Sequence, residues 1–278
     1  MKNILAILVA LLQLLLSDVI IQIVFGSSLL WETVGRDRFE YILDKYNLKV
    51  RKKKRKPRTT DSRHGLPTYP NQAKSYIPTQ ANRLWVSDIT YIPIHVNESK
   101  HIFCYLSLIL DAYSKEIVGW AVGETLETGH CIHALRMALK RVDDTSGKEL
   151  IHHSDRGCQY ASQEYTSLLR EYGITISMTE DGNPKDNAQA ERINNTMKNE
   201  LLKGKSFCDI KEVAEAVEKA VLFYNTERPH MSINMMTPQE AATHTGEIKK
   251  GWTSYRDIAI KNLQTENIIP NKCLSLGA

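Results

Sequence analysis

The sequence has few cysteines, and their arrangement argues against two common ways of holding a small fold together. Five cysteines occur among 278 residues, an odd number, and no two have the CxxC spacing of a zinc-ligand pair. We therefore expect neither a disulfide framework nor a structural zinc site. Unpaired cysteines are typical of a reducing compartment, which predicts a cytoplasmic protein.

The sequence also contains no internal repeat. Its overall charge is weak, with a net charge of only +4. The positive charge is concentrated, because eight of the ten positions from 49 to 58 are Lys or Arg. A cationic arm beside a slightly acidic body predicts a phosphate-backbone partner, and the alternative is a solvated segment that binds nothing specific. The arm residues expected to contact phosphate are Arg51, Lys52, Lys53, Lys54 and Arg55.

Residues 1–32 are mostly apolar and allow three interpretations. A signal peptide would use the basic start at Lys2, the apolar stretch and the small residues 26–28. A membrane span would have to contain Asp18 and Gln22, which is unfavourable. The interpretation that the downstream sequence favours is a buried helix, or a beginning that is foreign to the ancestral domain.

Beyond residue 80 the sequence predicts an α/β domain whose first half is rich in hairpins. The predicted strands are residues 84–94, 101–114, 116–124 and 174–179, and residues 147–157 are predicted as a short fourth strand that ends in a polar loop. The predicted helices are residues 128–141, 162–173, 188–202 and 210–225, with an earlier amphipathic helix at 33–48. Residues 49–80 are basic and then rich in Pro, Thr, Ser and Asn, which predicts a linker.

Three acidic residues occupy positions that call for an explanation. Asp88 lies within a predicted strand, where a charge is costly unless it is paired or bound to a cation. Asp155 follows the fourth predicted strand, and Glu191 lies early in a helix, with 35 residues between the two. Singly, each has an ordinary alternative: an ion pair, a turn residue and a solvent-facing helix residue. Together, such carboxylates can hold two hard cations, Mg²⁺ or Mn²⁺, about 4 Å apart for phosphodiester chemistry.

Four segments, in this order, resemble the catalytic segments of insertion-sequence transposases with a retroviral-integrase-type core. They are WVSDITY at 85–91, HSDRGCQY at 153–160, DNAQAER at 186–192 and YNTERPH at 224–230, the last followed by Thr237-Pro238. The resemblance covers residues 82–242, and Lys198, seven residues after Glu191, also fits the pattern. It implies an α/β, RNase H-like fold, a mixed five-stranded sheet flanked by helices, with a small helical N-terminal segment and a basic linker.

The resemblance also implies a division of the chain and an activity. Residues 1–48 would be an atypical apolar N-terminus with a remnant of a helical DNA-binding segment, 49–80 the basic arm, 81–245 the catalytic core with C-terminal helices, and 246–278 a tail. The enzyme would cut at the ends of its element and join a 3′-hydroxyl to another phosphodiester. Asp88, Asp155 and Glu191 would hold two metal ions, with no small-molecule cofactor.

The implied partners are DNA, at element ends and target, and further copies of the chain. Residues 1–32 do not fit the helix-turn-helix region that such transposases carry, so end recognition could depend on a separate polypeptide. The predicted DNA contacts of the core are Arg156, Lys185, Asn187, Arg192 and Lys198, and Asn183 is a further candidate. His152 and His153 are expected to pack behind the acids, and Arg228 and His230 either position DNA or close the domain.

Three other hypotheses remain open at this point. The chain could be a catalytically impaired or truncated DNA-binding remnant of such a transposase. The apolar N-terminus would suit a secreted or membrane-tethered protein. An ordinary RNase H-type nuclease would hydrolyse DNA without joining strands.

Overall fold

The computed structural model describes residues 36–46, 65–97, 100–142, 149–180 and 184–268. The apolar residues 1–32 and the basic arm at 49–58 lie outside the described residues. The chain divides into two units, Met1–Arg58 and Thr59–Ala278. In the first unit the described element is one helix, α1 (Arg36–Lys45), inside the stretch for which a helix is predicted.

Five strands form one mixed sheet in the second unit, as predicted. They are β1 (Leu84–Asn97), β2 (Lys100–Asp111), β3 (Ile117–Gly123), β4 (Ile151–Ser154) and β5 (Thr175–Met178). The sheet order is β3-β2-β1-β4-β5. The first three strands form an antiparallel meander, and β4 and β5 join the other side of β1 in parallel. This arrangement puts β1, the strand of Asp88, at the centre.

Helices cover both faces of the sheet. They are α2 (Thr128–Leu139), α3 (Cys158–Ala161), α4 (Gln163–Glu171), α5 (Ala188–Thr196), α6 (Ile210–Thr226), α7 (Pro238–Ala242) and α8 (Tyr255–Ile268). A 3-10 helix (Pro184–Asn187) leads into α5, and a π-helix (Met197–Leu201) continues from it. Among the described residues, no helix combines the length and apolarity needed to cross a membrane.

Two hydrophobic cores lie on opposite faces of the sheet. On one face Val86 packs in a cluster with Ile193 of α5 and Val217 of α6. On the other face Trp85 packs in a cluster with Leu135 of α2 and Leu169 of α4. Because neighbouring residues of β1 point to opposite faces and both faces are buried, the strand is apolar on both sides. A carboxylate on this strand is therefore unusual.

Residues 65–80 were predicted to be part of the linker, but they pack within the second unit. Ala73 is 6% exposed and belongs to a core cluster. The backbone nitrogen of Gln72 donates to Ser177 Oγ at 2.8 Å, and that of Gly246 donates to the carbonyl of Thr79 at 2.7 Å. This packing could not be predicted from the polar, proline-rich composition, because backbone groups make most of the contacts. This end of the predicted linker is therefore part of the folded unit.

The turn after β2 is built around the buried carboxylate of Asp111. Its oxygens accept hydrogen bonds from the backbone nitrogens of Asn82, Tyr113 and Ser114 and from the hydroxyl of Ser114. These bonds end β2 at Asp111, whereas the apolar pattern predicts a strand through Ser114. Lys115 then adopts a left-handed backbone conformation with φ of 67°.

Candidate active site

The register between β1 and β4 places two of the predicted acids side by side. Ser87 pairs with Ser154, and the parallel pairing ends there. Asp88 is the next residue of β1, and Asp155 is the first residue after β4. Neighbouring strands of a sheet lie about 5 Å apart, so the two residues are adjacent. Asp88 stays paired with β2 through Leu108, but its β4 side is free of ladder pairing from this point, so the two carboxylates lie where β1 and β4 part.

Asp88 is half-buried and oriented by two hydrogen bonds. Its Oδ1 accepts from the backbone nitrogen of Ile89 and its Oδ2 from Asn194 Nδ2, both at 2.9 Å. Burial raises the pKa of Asp88 to about 7, and the neighbouring Asp155 carboxylate contributes next, with a smaller contribution from Glu191. The elevated pKa shows that negative charge at this point is not balanced by the groups around it.

The turn that carries Asp155 is tight. Asp155 Oδ1 accepts from the backbone nitrogen of Gly157 at 3.0 Å. A Cβ added to Gly157 would lie 3.0 Å from that oxygen and 3.0 Å from Gln159 Oε1. A glycine therefore allows the chain to fold back closely enough to hold the Asp155 carboxylate in place.

Glu191 lies in the first turn of α5 and is exposed. Partial burial raises the pKa of its carboxyl. The start of the helix is attached to β1 by Asn187, whose Nδ2 donates to the carbonyl of Ser87 at 2.9 Å. Within the described ranges, no group of three or more His, Cys, Asp or Glu residues is spaced to hold a metal ion. The structure thus sets Asp88 and Asp155 side by side, and the Glu191 carboxylate, on α5, is close enough to contribute to the raised pKa of Asp88.

The donor chemistry of this pair fits a divalent cation. Asp88 and Asp155 offer only carboxylate oxygens, the ligands that Mg²⁺ and Mn²⁺ prefer. Their mutual repulsion raises the pKa of Asp88, and a bound cation would relieve that repulsion. Glu191 would complete the set by approaching from α5.

The two histidines before Asp155 are used inside the fold. His152 Nε2 lies 2.8 Å from Ser87 Oγ and 2.9 Å from the Tyr165 hydroxyl. His153 Nδ1 lies 2.8 Å from Ser177 Oγ, and its Nε2 contacts a backbone carbonyl of the 3-10 helix. Both side chains are at most 1% exposed, which agrees with the packing role predicted for them.

Lys198 lies within the π-helix, where the regular helical spacing from Glu191 is interrupted. The nitrogen of Leu202 donates to the carbonyl of Met197, a bond across five residues. Lys198 Nζ lies 4.5 Å from the centre of the Tyr91 ring, three residues beyond Asp88 on β1. The amine therefore stays near β1, the strand that carries Asp88.

The other predicted DNA contacts differ in exposure. Arg192 is exposed on α5, Arg156 is half-buried beside Asp155, and Lys185 belongs to the 3-10 helix. Asn187 is only 5% exposed and its amide nitrogen is bound to β1. One N–H of the Asn187 amide thus serves the fold, and the DNA contact expected of this residue stays a prediction.

Two residues near the acids were missed by the sequence analysis. Asn194, three residues after Glu191, orients Asp88, and its helical spacing from Glu191 is the signal that could have indicated it. Gln189 accepts a hydrogen bond from Lys115, a contact that joins distant parts of the chain and leaves no local sequence pattern.

Arg228 and His230 follow the end of α6, and their contacts are with neighbouring helices. Arg228 Nη2 donates to Glu200 Oε2 at 2.7 Å. The His230 ring packs edge-on against Tyr224 with 4.8 Å between ring centres. Burial lowers the pKa of His230 to about 4, so the ring is neutral near pH 7.

Comparisons with known proteins agree with this geometry. Residues 78–184 and 172–238 match two family models, each described as an integrase core domain. A 31 kDa protein of insertion element IS600 from Shigella sonnei is 35% identical over 207 residues, 74% of each chain. A candidate transposase of insertion sequence element IS986/IS6110 from Mycobacterium tuberculosis is 32% identical over 230 residues, which cover 78% of this chain and 81% of the relative.

A likeness to a solved structure supports the fold. A chain of the simian T-cell lymphotropic virus intasome, solved with PP2A regulatory subunit B56 gamma, superposes with a TM-score of 0.50 at 20% identity, over 71% of this chain and 67% of that one. The mixed five-stranded sheet flanked by helices is the RNase H-like fold of an integrase catalytic core. The chain belongs to the insertion-sequence transposases that carry an integrase core domain.

Proposed function

We propose that the protein cuts DNA at the ends of an insertion element and joins the freed 3′-hydroxyl to a second phosphodiester, with Asp88, Asp155 and Glu191 as its catalytic acids. The observation that carries the proposal is the β1–β4 register, which sets Asp88 beside Asp155 at the point where the pairing of these two strands ends. Family membership supports the reaction, because the relatives include transposases of insertion elements.

Each acid has a separate part in the proposed chemistry. Asp88 would bridge two Mg²⁺ ions, with Mn²⁺ as an alternative, and Asp155 and Glu191 would each hold one. Such ions lower the pKa of the attacking water or 3′-hydroxyl and stabilise charge on the leaving oxygen. Asn194 and the nitrogen of Ile89 hold the Asp88 carboxylate in a fixed orientation, which reduces the reorganisation needed on metal binding.

The remaining contacts concern DNA and further subunits. Lys198 and Arg192 would bind phosphates beside the acids, with Arg156 and Lys185 nearby. The basic arm at residues 49–58 would follow the phosphate backbone in a sequence-independent way. We propose residues 81–245 as the catalytic core, self-association on paired DNA ends, and a helix-turn-helix partner polypeptide for end recognition.

Neutralising the acids tests the function. We expect Asp88→Asn, Asp155→Asn and Glu191→Gln each to reduce Mg²⁺-dependent cleavage of labelled element ends by at least about 1000-fold, because the metal loses a ligand. The free energy of unfolding and DNA binding without divalent ions should stay close to wild type. Glu218→Gln, an exposed acid on α6, is the matched control and should cleave normally.

The same assay separates joining from simple hydrolysis. A target plasmid is included with the labelled ends, and strand transfer gives labelled plasmid as well as shortened ends. Cuts without joined product would indicate an RNase H-type nuclease. Wild-type cleavage by any of the three variants would remove that residue from the proposed set.

A further inference from the structure

Lys115 links the β2–β3 turn to the helix that carries Glu191. Its Nζ donates to Gln189 Oε1 at 2.7 Å and to the carbonyl of Ala112 in its own turn. Gln189 is 74 residues away in sequence and two residues before Glu191. The contact therefore joins the meander side of the sheet to the first turn of α5.

The base from which Lys115 reaches α5 is well fixed. The backbone nitrogen of Lys115 donates to the carbonyl of Asp111 at 2.9 Å, and the nitrogen of Asp111 donates to the carbonyl of Glu116 at 2.8 Å. The Asp111 carboxylate is enclosed by the donors described above. Lys115 also holds a left-handed backbone, which a non-glycine residue adopts only when its surroundings impose it. The lysine is thus presented from a rigid turn.

On the helix side, two contacts approach the start of α5 from different directions. Asn187 binds the carbonyl of Ser87 on β1, and Gln189 binds Lys115. Since successive helical residues are rotated by about 100°, Gln189 lies about 200° round α5 from Glu191 and points away from it. Two attachments, one to β1 and one to the β2–β3 turn, oppose rotation of the first helical turn.

An ammonium group at this place is not explained by stability alone. Burial lowers the pKa of Lys115 to about 8. The acids Asp111 and Asp257 raise this pKa, and the cations Lys250 and Arg256 lower it further. Placing a charge where it loses hydration carries a cost that an apolar side chain would avoid. What the charged donor provides is a directed hydrogen bond across two elements.

We propose that Lys115 is a positioning residue for the transposase reaction: by holding Gln189 it fixes the first turn of α5 and thereby the direction in which Glu191 faces Asp88 and Asp155. The inference rests on the proposed function, since that assigns Glu191 to the metal. Glu191 is exposed in the first turn of α5, whereas Asp88 lies on β1 and Asp155 directly follows β4, so the approach of Glu191 depends on how its helix is seated. Misplacement of a reacting group by about 1 Å can cost about 100-fold in rate.

The test compares Lys115→Met, Gln189→Leu and the double variant in the full chain. We expect each single change to lower the cleavage rate at least about 10-fold and to raise the Mg²⁺ concentration that gives half the maximal rate. DNA affinity without divalent ions should be unchanged. The double variant leaves neither a lone donor nor a lone acceptor, so its unfolding midpoint should return towards wild type. Its cleavage rate should nevertheless stay as low as in the single variants.

A purely structural contact gives a different result, because activity would then recover with stability in the double variant. That outcome, or wild-type rates and Mg²⁺ requirement in Gln189→Leu, would overturn the inference. Were Lys115→Met to unfold, Gln189→Leu still breaks the contact from the helix side. Gln189→Glu keeps an acceptor for Lys115 and should retain activity within a few-fold of wild type.

Two controls separate this inference from the proposed function. Lys219→Met removes an exposed lysine from α6 and should change neither rate nor Mg²⁺ requirement. Glu191→Gln is assayed in parallel. If Glu191→Gln is inactive while the Lys115 and Gln189 variants cleave normally, the positioning role of Lys115 is wrong and the proposed function stands. If Glu191→Gln cleaves normally, the catalytic role proposed for Glu191 is wrong, and the positioning role that rests on it is wrong too.

Discussion

At the residue scale, His152 makes the fold behind the acid pair sensitive to acid. Its Nε2 faces the hydroxyls of Ser87 and Tyr165, and in the tautomer that accepts there the single lone pair of Nε2 is shared between them. Burial lowers the pKa of His152 to about 3, and the neighbouring His153 lowers it as well. Protonation would place a charge in this buried site and force both hydroxyls, on β1 and α4, to reorient.

We expect this histidine to contribute a steep loss of stability on acidification. The unfolded chain binds the proton near its ordinary pKa of 6.5 and the folded protein only near 3, so stability falls as pH drops through that window. The slope from one such group reaches about 1.4 kcal/mol per pH unit. In His152→Gln the free energy of unfolding should depend less steeply on pH by about 1 kcal/mol per unit.

Urea unfolding at pH 4, 5 and 6 measures this difference. His133→Gln changes an exposed histidine of α2 and should keep the wild-type slope. Equal slopes for His152→Gln and wild type would show that the buried imidazole does not control the acid response.

The carboxylates show what the sequence could and could not predict at this scale. Strand and helix patterns assigned Asp88, Asp155 and Glu191 to the elements on which the structure has them. The adjacency of Asp88 and Asp155 follows from strand register, which no local pattern encodes. The position of Glu191 depends on how α5 seats on the sheet, through contacts such as Asn194 with Asp88, so its binding of metal together with the pair stays a prediction.

At the element scale, β3 and α2 approach each other closely at Gly119. A Cβ added there would overlap the carbonyl oxygen of Ala134 and lie 3.1 Å from the Cβ of Ala138, both on α2. The backbones of β3 and α2 are thus in direct contact. A larger residue would have to push α2 away from the sheet.

We expect Gly119→Ala to reduce the free energy of unfolding by about 2–3 kcal/mol, because the core is overpacked at backbone atoms that cannot turn aside. Gly129→Ala is the matched control in α2, since an added Cβ there has no atom within 4 Å. It should be neutral or stabilising by up to about 1 kcal/mol through helix propensity. Chemical denaturation of both variants gives the comparison, and equal midpoints would contradict the close contact.

The elements that the sequence did not predict have identifiable causes. α7 is five residues long, and its start carries Pro238 and a capping box between Thr237 and Glu240, a local signal that could have been used. α8 lies in the segment assigned to the C-terminal tail, and Arg256 from it donates to the carbonyls of Ala73 and Lys74. Tertiary contacts determine where such a helix packs on a distant segment. The hydrophobic periodicity of the sequence does not predict those contacts.

At the scale of the whole molecule, catalysis and general DNA affinity are assigned to different units. The acids lie in Thr59–Ala278, whereas the arm with eight Lys or Arg among residues 49–58 lies in Met1–Arg58. The second unit contains both hydrophobic cores and every strand described here. It therefore has the interactions needed to fold as a separate chain.

We expect a protein of residues 59–278 to keep the thermal midpoint of the core but to bind DNA more weakly, with a flatter salt dependence. Each phosphate contact that is lost reduces the slope of log affinity against log salt by about 0.9 on duplex DNA, so losing several arm contacts lowers it by several units. A protein of residues 49–278 restores the arm and should restore the slope, which separates the arm from the apolar N-terminus. Identical slopes for the two proteins, measured by fluorescence anisotropy between 50 and about 200 mM salt, would mean that the arm does not bind phosphate and that affinity arises within the core.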